Sequence, residues 1–359
     1  MRGGEKVLEA ICELYPEAPI YTLVRVKGSV SATIERHAVR TSWVQRLPRA
    51  GRFYRHYLPL FPAAVESFDL DDYDLVISSS HCAVKSVIRR GGATHLCYCH
   101  SPMRYAWDQF GAYFGAEQVG KGASAAFRPV MAALARWDAG TAGRVDRFLA
   151  NSQYVAGRIR RYYNRGSTVV YPPVDTDYFQ PPSDRASSAA SLLVVSALVP
   201  YTRLDLAIAA ARLANVPLRV VGQGPQEAFL RRLAGSAPVE FLGWRSDEDI
   251  RLLYQSSSAV LLPGVEDFGM VPVEAQACGT PVIALGEGGA RETVIDGETG
   301  ALVAEPSAEA FAAAIARVVK APVDRLAIRR NAERFSRAAF REAFTAVVTE
   351  TVAGRGNTA

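Results

Sequence analysis

The chain has 359 residues, 49% of them hydrophobic, enough for two domains with sizeable cores, and no run of about 18 uncharged apolar residues offers a membrane span. The opening MRGGEKVLEA is charged and amphipathic, unlike a signal peptide, and Cys12, Cys82, Cys97, Cys99 and Cys278 lack zinc-site spacing, which predicts reduced, buried thiols in a cytoplasmic protein. The net charge of +5 is unevenly placed, with +7 on residues 1–180 and −2 on the rest, so an anionic partner is to be sought in the first half.

The stretch RGGEKVLEAICELYP leads from two glycines, Gly3 and Gly4, straight into an amphipathic helix, like a phosphate-type loop. A doubly wound domain normally opens on a strand, and none precedes Arg2, so the first strand is expected to be missing. Between Arg36 and Val65 stand six arginines and no acid, interleaved with Trp43, Phe53, Tyr54, Tyr57 and Phe61. Nucleic acid and anionic lipid headgroups both suit such a mixture, as does an irregular basic surface with aromatics packed inward.

Short apolar runs follow at 73–80 (YDLVISSS), 94–100 (THLCYCH) and 146–152 (DRFLANS), each ending in small or polar residues and each followed by a helix-like stretch such as QYVAGRIRRYY. The proline-rich TVVYPPVDTDYFQPPSD has no helical periodicity and reads as a linker. A second series then alternates strands (SLLVVSAL, PLRVVGQGP, VEFLGW, AVLLP, PVIAL, ALVAE) with amphipathic helices such as RLDLAIAAARLA. Strand–helix alternation in both halves predicts an α/β protein with parallel sheets, whose ligands bind at the carboxyl ends of strands.

One such strand end carries PGVEDFGMVPVEAQACGTPVIA, residues 263–284. AVLLP reads as a buried parallel strand, Pro272 suits the first turn of a helix, and Gly279 suits the left-handed position past its end. The strand, loop, helix and strand make a βαβ unit whose helix N-terminus offers N–H groups to an anion. An acid in a first helical turn is ordinary dipole complementarity, and Glu266 alone reads as a solvated loop charge. Together, Glu266 and Glu274 on either side of Gly269 suit a ligand that carries both phosphate and sugar hydroxyls.

With YCHSPMRYAWD (98–108), ANSQYVAGRI (150–159), YPPVDTDYF (171–179), VGQGP (221–225), FLGWRSDEDI (241–250) and GGARETVIDGETGALV, this chain resembles the retaining GT-B glycosyltransferases of family 4 over nearly its whole length. Within that family it is most similar to bacterial O-antigen type mannosyltransferases. Glu266 and Glu274 match the family's E-x7-E motif. The resemblance implies two Rossmann-like domains facing across a cleft: residues 1–176 with a C-terminal crossing helix at 336–352 on the acceptor side, and residues 177–335 binding the donor.

It implies further that Glu274 holds ribose hydroxyls, that Glu266 meets the transferred sugar, and that the backbone of Gly269, Met270 and Val271 meets the donor diphosphate. Gly222 and Gly224 would let a loop approach the nucleotide, and Leu242 and Gly243 would lie near the base. His100 would reach the sugar, and Gly3 and Gly4 would cover the diphosphate. The resemblance further implies that no divalent metal is required, because in this family cationic side chains take the metal's place.

One stretch departs from the family pattern. VPYTRLDLAI has Thr202 where the family has a lysine, leaving only Arg203 beside it. A hydroxyl does not replace an ammonium facing developing negative charge, a loss on the order of 3 kcal/mol in the barrier. The implied function is transfer of a hexose, mannose from GDP-mannose, to a lipid-linked saccharide in bacterial surface polysaccharide synthesis. The enzyme would be cytoplasmic, would touch anionic membrane through the Arg36–Arg55 region, and would not bind nucleic acid. The alternative is a catalytically impaired homologue that binds nucleotide sugar or glycan without turnover.

Overall fold

The computed structural model describes residues 3–89, 91–183 and 191–356. The chain divides into two compact units, one comprising residues 1–173 with 340–359 and the other residues 174–339.

In the first unit a parallel pair, β1 (Ile20–Thr22) and β2 (Val39–Thr41), accompanies a separate sheet. That sheet is β3 (Leu75–Ser80), β4 (Thr94–Cys99), β5 (Arg147–Ala150) and β6 (Thr168–Val169), all parallel and adjacent in that order. Among the described residues no strand precedes the helix Gly3–Leu14.

Period-two alternation sends β4 to two cores. Leu96 and Tyr98 pack with Val7 and Ile11 of the first helix and with Phe340 and Phe344 of the last, Arg337–Gly356. Cys97 and Cys99 pack with Val155 and Ile159 of the helix Gln153–Tyr163. Both faces being covered explains why all six residues of THLCYC are buried.

A third core joins Val44, Leu58 and Phe61 to Met131 and Leu134 of the helix Lys121–Gly140. Tyr54 and Tyr57 pack against it, while Arg36, Arg40, Arg46, Arg49, Arg52 and Arg55 are all exposed. The basic stretch is thus a charged skin over an aromatic underside, with Trp43 and Leu60 exposed among the arginines.

The second unit holds six parallel strands: β7 (Leu192–Val195), β8 (Leu218–Val221), β9 (Val239–Gly243), β10 (Ala259–Leu262), β11 (Val282–Leu285) and β12 (Gly300–Val303). Their order is β12-β11-β10-β7-β8-β9. Counted from β7, this is the doubly wound 3-2-1-4-5-6 order, and its direction reverses between β7 and β10. The helices Leu204–Ala214 and Ala308–Lys320 cover this sheet with Leu204, Ile208, Phe311 and Ile315. The crevice outside the carboxyl ends of β7 and β10 is where such a fold takes its ligand.

Candidate functional site

The loop after β10 runs from Pro263 to Gly269 and turns into the helix Met270–Ala277. Gly269 stands at the helix N-cap with φ +83° and brings no capping side chain. The left-handed backbone there suits glycine, and it leaves the first turn without a side-chain competitor for an anion. The helix closes as its sequence predicts, with Gly279 at φ +73° just past its end.

Glycines outside the motif shape this loop. A Cβ on Gly288 would lie 2.3 Å from the Glu266 carbonyl oxygen, and one on Gly289 would lie 2.4 Å from Phe268 Cα. The Gly289 amide also donates to the Glu266 carbonyl (2.9 Å). On its other flank, a Cβ on Gly264 would come within 2.5 Å of the Tyr201 carbonyl. Sequence reasoning missed these three glycines. The available signal was position, since each stands within four residues of a strand's carboxyl end.

Glu274 is buried in the helix, and Tyr254 Oη donates to its Oε2 (3.1 Å). Burial, and then the adjacent carboxylate, push the Tyr254 phenol well above its ordinary range, so it remains a donor. Two residues on, the Gln276 amide donates to the carbonyls of Pro272 (3.1 Å) and Thr293 (2.8 Å) and accepts from Asn331 (2.7 Å). The helix is pinned from behind, which fixes where its N-terminus points.

Gly222 and Gly224 follow β8. A Cβ would stand 1.8 Å from the Ser196 carbonyl at Gly222, whose φ is +136°, and 2.3 Å from the Leu198 carbonyl at Gly224. The close approach that excludes a side chain there is to the loop after β7. Gly243 (φ +69°) accepts from the Gly222 amide (2.9 Å), so Leu242 and Gly243 end β9 beside the same turn. The next residue, Trp244, is 71% exposed.

Thr202 is only 5% exposed, and its hydroxyl donates to the Val199 carbonyl (2.7 Å), with the Ala197 carbonyl at 3.1 Å. Arg203 lies in the left-handed region (φ 53°), and its guanidinium pairs with Asp205 through Nη2 (3.0 Å). The turn after β7 is therefore closed on itself: its hydroxyl serves the backbone and its cation serves a neighbouring carboxylate.

In the first unit the structure brings Gly4, which follows Gly3 at the start of the first helix, against His100. A Cβ on Gly4 would lie 3.6 Å from His100 Nε2, so the start of the first helix rests over the imidazole. Ser79 Oγ lies 2.8 Å from that same nitrogen, and Asn151 donates to the His100 carbonyl (3.0 Å). Burial, with His81 nearby, lowers the His100 pKa to about 3, so the ring is a neutral hydrogen-bonding group at neutral pH. Asn151 lies in the ANSQYVAGRI stretch and Ser79 in none of the family-matching stretches, and only the pairing of β3, β4 and β5 shows that both stand beside His100.

The parallel six-stranded sheet, with a carboxylate-flanked helix start at its switch point, defines a doubly wound, Rossmann-like domain. The chain matches the family model for glycosyl transferases group 1 over residues 178–335 and that for glycosyltransferase family 4 over residues 2–178. Through these two consecutive domains the chain belongs to the GT-B glycosyltransferases.

Its curated relatives include the D-inositol 3-phosphate glycosyltransferases of Mycolicibacterium paratuberculosis and Rhodococcus erythropolis. The first is 36% identical over 200 residues, 49% of this chain and 45% of the relative. The second is 36% identical over 225 residues, 53% of this chain and 50% of the relative. The chain thus spans about half the length of the curated relatives it matches.

Among solved structures, Anabaena HepE in complex with UDP and glucose superposes with a TM-score of 0.70 at 20% identity, covering 97% of this chain and 96% of that one. Sucrose-phosphate synthase from Thermosynechococcus elongatus gives 0.70 at 21% identity, covering 96% of this chain and 92% of that one. These likenesses establish the GT-B fold. Among the described residues no helix is long and apolar enough to cross a membrane.

Proposed function

We propose that this chain transfers a hexose from a nucleoside diphosphate sugar, retaining the anomeric configuration and needing no metal. The observation that carries this is the constellation at the switch point, where Glu266 and the buried Glu274 bracket a glycine-opened helix start. The backbone of Gly269, Met270 and Val271 would face the diphosphate, Glu274 the ribose, and Glu266 the sugar. His100, with Gly4 over its ring, would serve the sugar as a neutral hydrogen-bonding group, and Gly3 and Gly4 would cover the diphosphate. The incoming hydroxyl would attack on the leaving group's own face, its proton passing to a departing phosphate oxygen.

The finer reading is mannose from GDP-mannose to a lipid-linked saccharide, supported by the likeness of the whole motif series to O-antigen type mannosyltransferases. Anionic membrane contact through the Arg36–Arg55 region is part of it, motivated by six exposed arginines beside exposed Trp43 and Leu60. Such an enzyme would work at the cytoplasmic membrane face. Flotation with anionic but not neutral vesicles tests that contact, and binding to neither removes it.

The deciding experiment is a melt of the chain with GDP, UDP and GDP-mannose, in native form and as Glu274→Ala. Transfer is then assayed to a lipid-linked saccharide and to inositol 3-phosphate. A ligand at 100 times its Kd adds about 2.7 kcal/mol to native stability. A midpoint raised by GDP-mannose, not by UDP, and lost in Glu274→Ala is the expected result. A shift by UDP alone would replace the donor, and no shift by any nucleotide would overturn the reading.

A second reading, a homologue that binds without turnover, is favoured by the closed turn at Thr202 and Arg203. Sugar transfer by the native chain would dismiss it.

A further inference from the structure

A diphosphate at this helix start would face an acidic neighbourhood. The loop after β10 carries Glu266 and Asp267, and the stretch after β11, residues 286–292, carries Glu287 and Glu292. Two or more negative charges brought among four carboxylates require a cation.

The loops at the carboxyl ends of the six strands offer three cations: Arg203, Arg245 and Arg291. Arg203 is held by Asp205, and Arg245 donates to the Trp244 carbonyl (2.9 Å) at β9, the edge strand farthest from β10 on that side. Arg291 is exposed, and its side chain has no hydrogen-bond or ion-pair partner among the described residues.

Its position is fixed by the glycines before it. Gly288 and Gly289 pack on the backbone of Glu266 and Phe268, and the Arg291 amide donates to the Gly288 carbonyl (3.4 Å). The short helix Ala290–Thr293, which carries Arg291, therefore starts against the loop that delivers Gly269 and Met270. β11 is the direct neighbour of β10, so this element flanks the helix start on the side opposite the closed turn after β7.

From this geometry we infer that Arg291 supplies the positive charge facing the donor diphosphate, the task that Thr202 and the paired Arg203 leave undone. The inference rests on the nucleoside diphosphate reading above and names the group completing that site. The guanidinium fork suits phosphate oxygens in a bidentate contact and stays charged at every working pH.

The test is calorimetric titration of the native chain, Arg291→Gln and Arg291→Lys with UDP and GDP, and with uridine and guanosine as diphosphate-free probes. Melting each variant without ligand checks that the exposed substitution leaves the fold intact. The inference expects Arg291→Gln to weaken the bound nucleoside diphosphate about tenfold or more, as for a lost hydrogen bond to a charged group. Arg291→Lys should recover most of that loss, and nucleoside binding should stay unchanged. Equal diphosphate affinity in native and Arg291→Gln chains would overturn the inference while leaving the site reading intact. Failure of the native chain to bind either nucleoside diphosphate would overturn the reading and the inference together.

Discussion

Gly222 shows how a single atom decides a position. With its φ at +136° and a hypothetical Cβ 1.8 Å from the Ser196 carbonyl, any side chain must displace the loop after β7. Gly222→Ala is therefore expected to cost at least about 2 kcal/mol, combining backbone strain with a steric clash. Denaturant melts check it: Gly166→Ala, where no atom lies within 4 Å, serves as the comparison and should change little. The motif VGQGP pointed to both glycines in advance, as residues sparing room for a ligand. The neighbour that needs the room belongs to the protein itself, a contact that exists only once β7 and β8 are paired. The helix around Glu274 was legible for a different reason, its glycine loop and Pro272. Glu274 is, however, the fifth residue of that helix and not in its first turn, because the helix already starts at Met270. Its partner Tyr254, 20 residues earlier, follows from no local rule.

The turn from Ala197 to Arg203 argues at the level of an element. Its threonine replaces two long-range possibilities with two local bonds, and the packing of Gly264 against Tyr201 and Thr202 leaves little space. Thr202→Lys should therefore destabilise rather than repair: losing a buried hydroxyl bond and crowding the turn costs about 1–3 kcal/mol. Thr202→Ser, which keeps the hydroxyl, should stay near the native midpoint in a thermal melt. A lysine variant that melts as the native chain does and gains transfer activity would show that the turn is adaptable. The helix Met270–Ala277 was readable from Pro272 and Gly279. The helical insertion between β4 and β5, residues 104–140, was not, because its apolar residues serve a core built largely from residues 44–70 and their spacing reports that irregular surface.

At the scale of the whole molecule, pH acts mainly on the first unit. His95 is fully buried on β4, where its Nδ1 faces the Arg144 carbonyl (3.0 Å) and its Nε2 faces Ser78 Oγ (2.8 Å). Burial lowers its pKa from 6.5 to about 4, and that of His100 from 6.5 to about 3. Both folded values lie below the unfolded one, so the unfolded chain takes up protons first as pH falls. Stability is full above pH 6.5 and declines below it by about 1.4 kcal/mol per pH unit for each histidine, until the folded pKa is reached. Urea melts between pH 7 and 5 measure this slope, and His95→Asn should reduce it by about half, leaving the His100 contribution. A pH-independent midpoint across that range would contradict the assignment.

What the sequence determined by itself was whatever depends on residues near one another in the chain. That includes alternating strands and helices, a proline-rich boundary, a glycine-opened helix between two glutamates, and a basic stretch without acids. These follow from periodicity, backbone freedom and the sign of neighbouring charges, and they pointed to an α/β protein with parallel sheets; the resemblance of the motif series to family 4 then implied the GT-B fold. The tertiary structure alone decided which strand ends meet. It set β7 beside β10, Gly288 and Gly289 under the Glu266 loop, and Gly4 over His100. It also decided that Thr202 and Arg203 are occupied, while among the described residues the Arg291 side chain has no partner. Contacts between residues 20 to 100 apart depend on sheet order and register, and no local pattern encodes those before the strands pair.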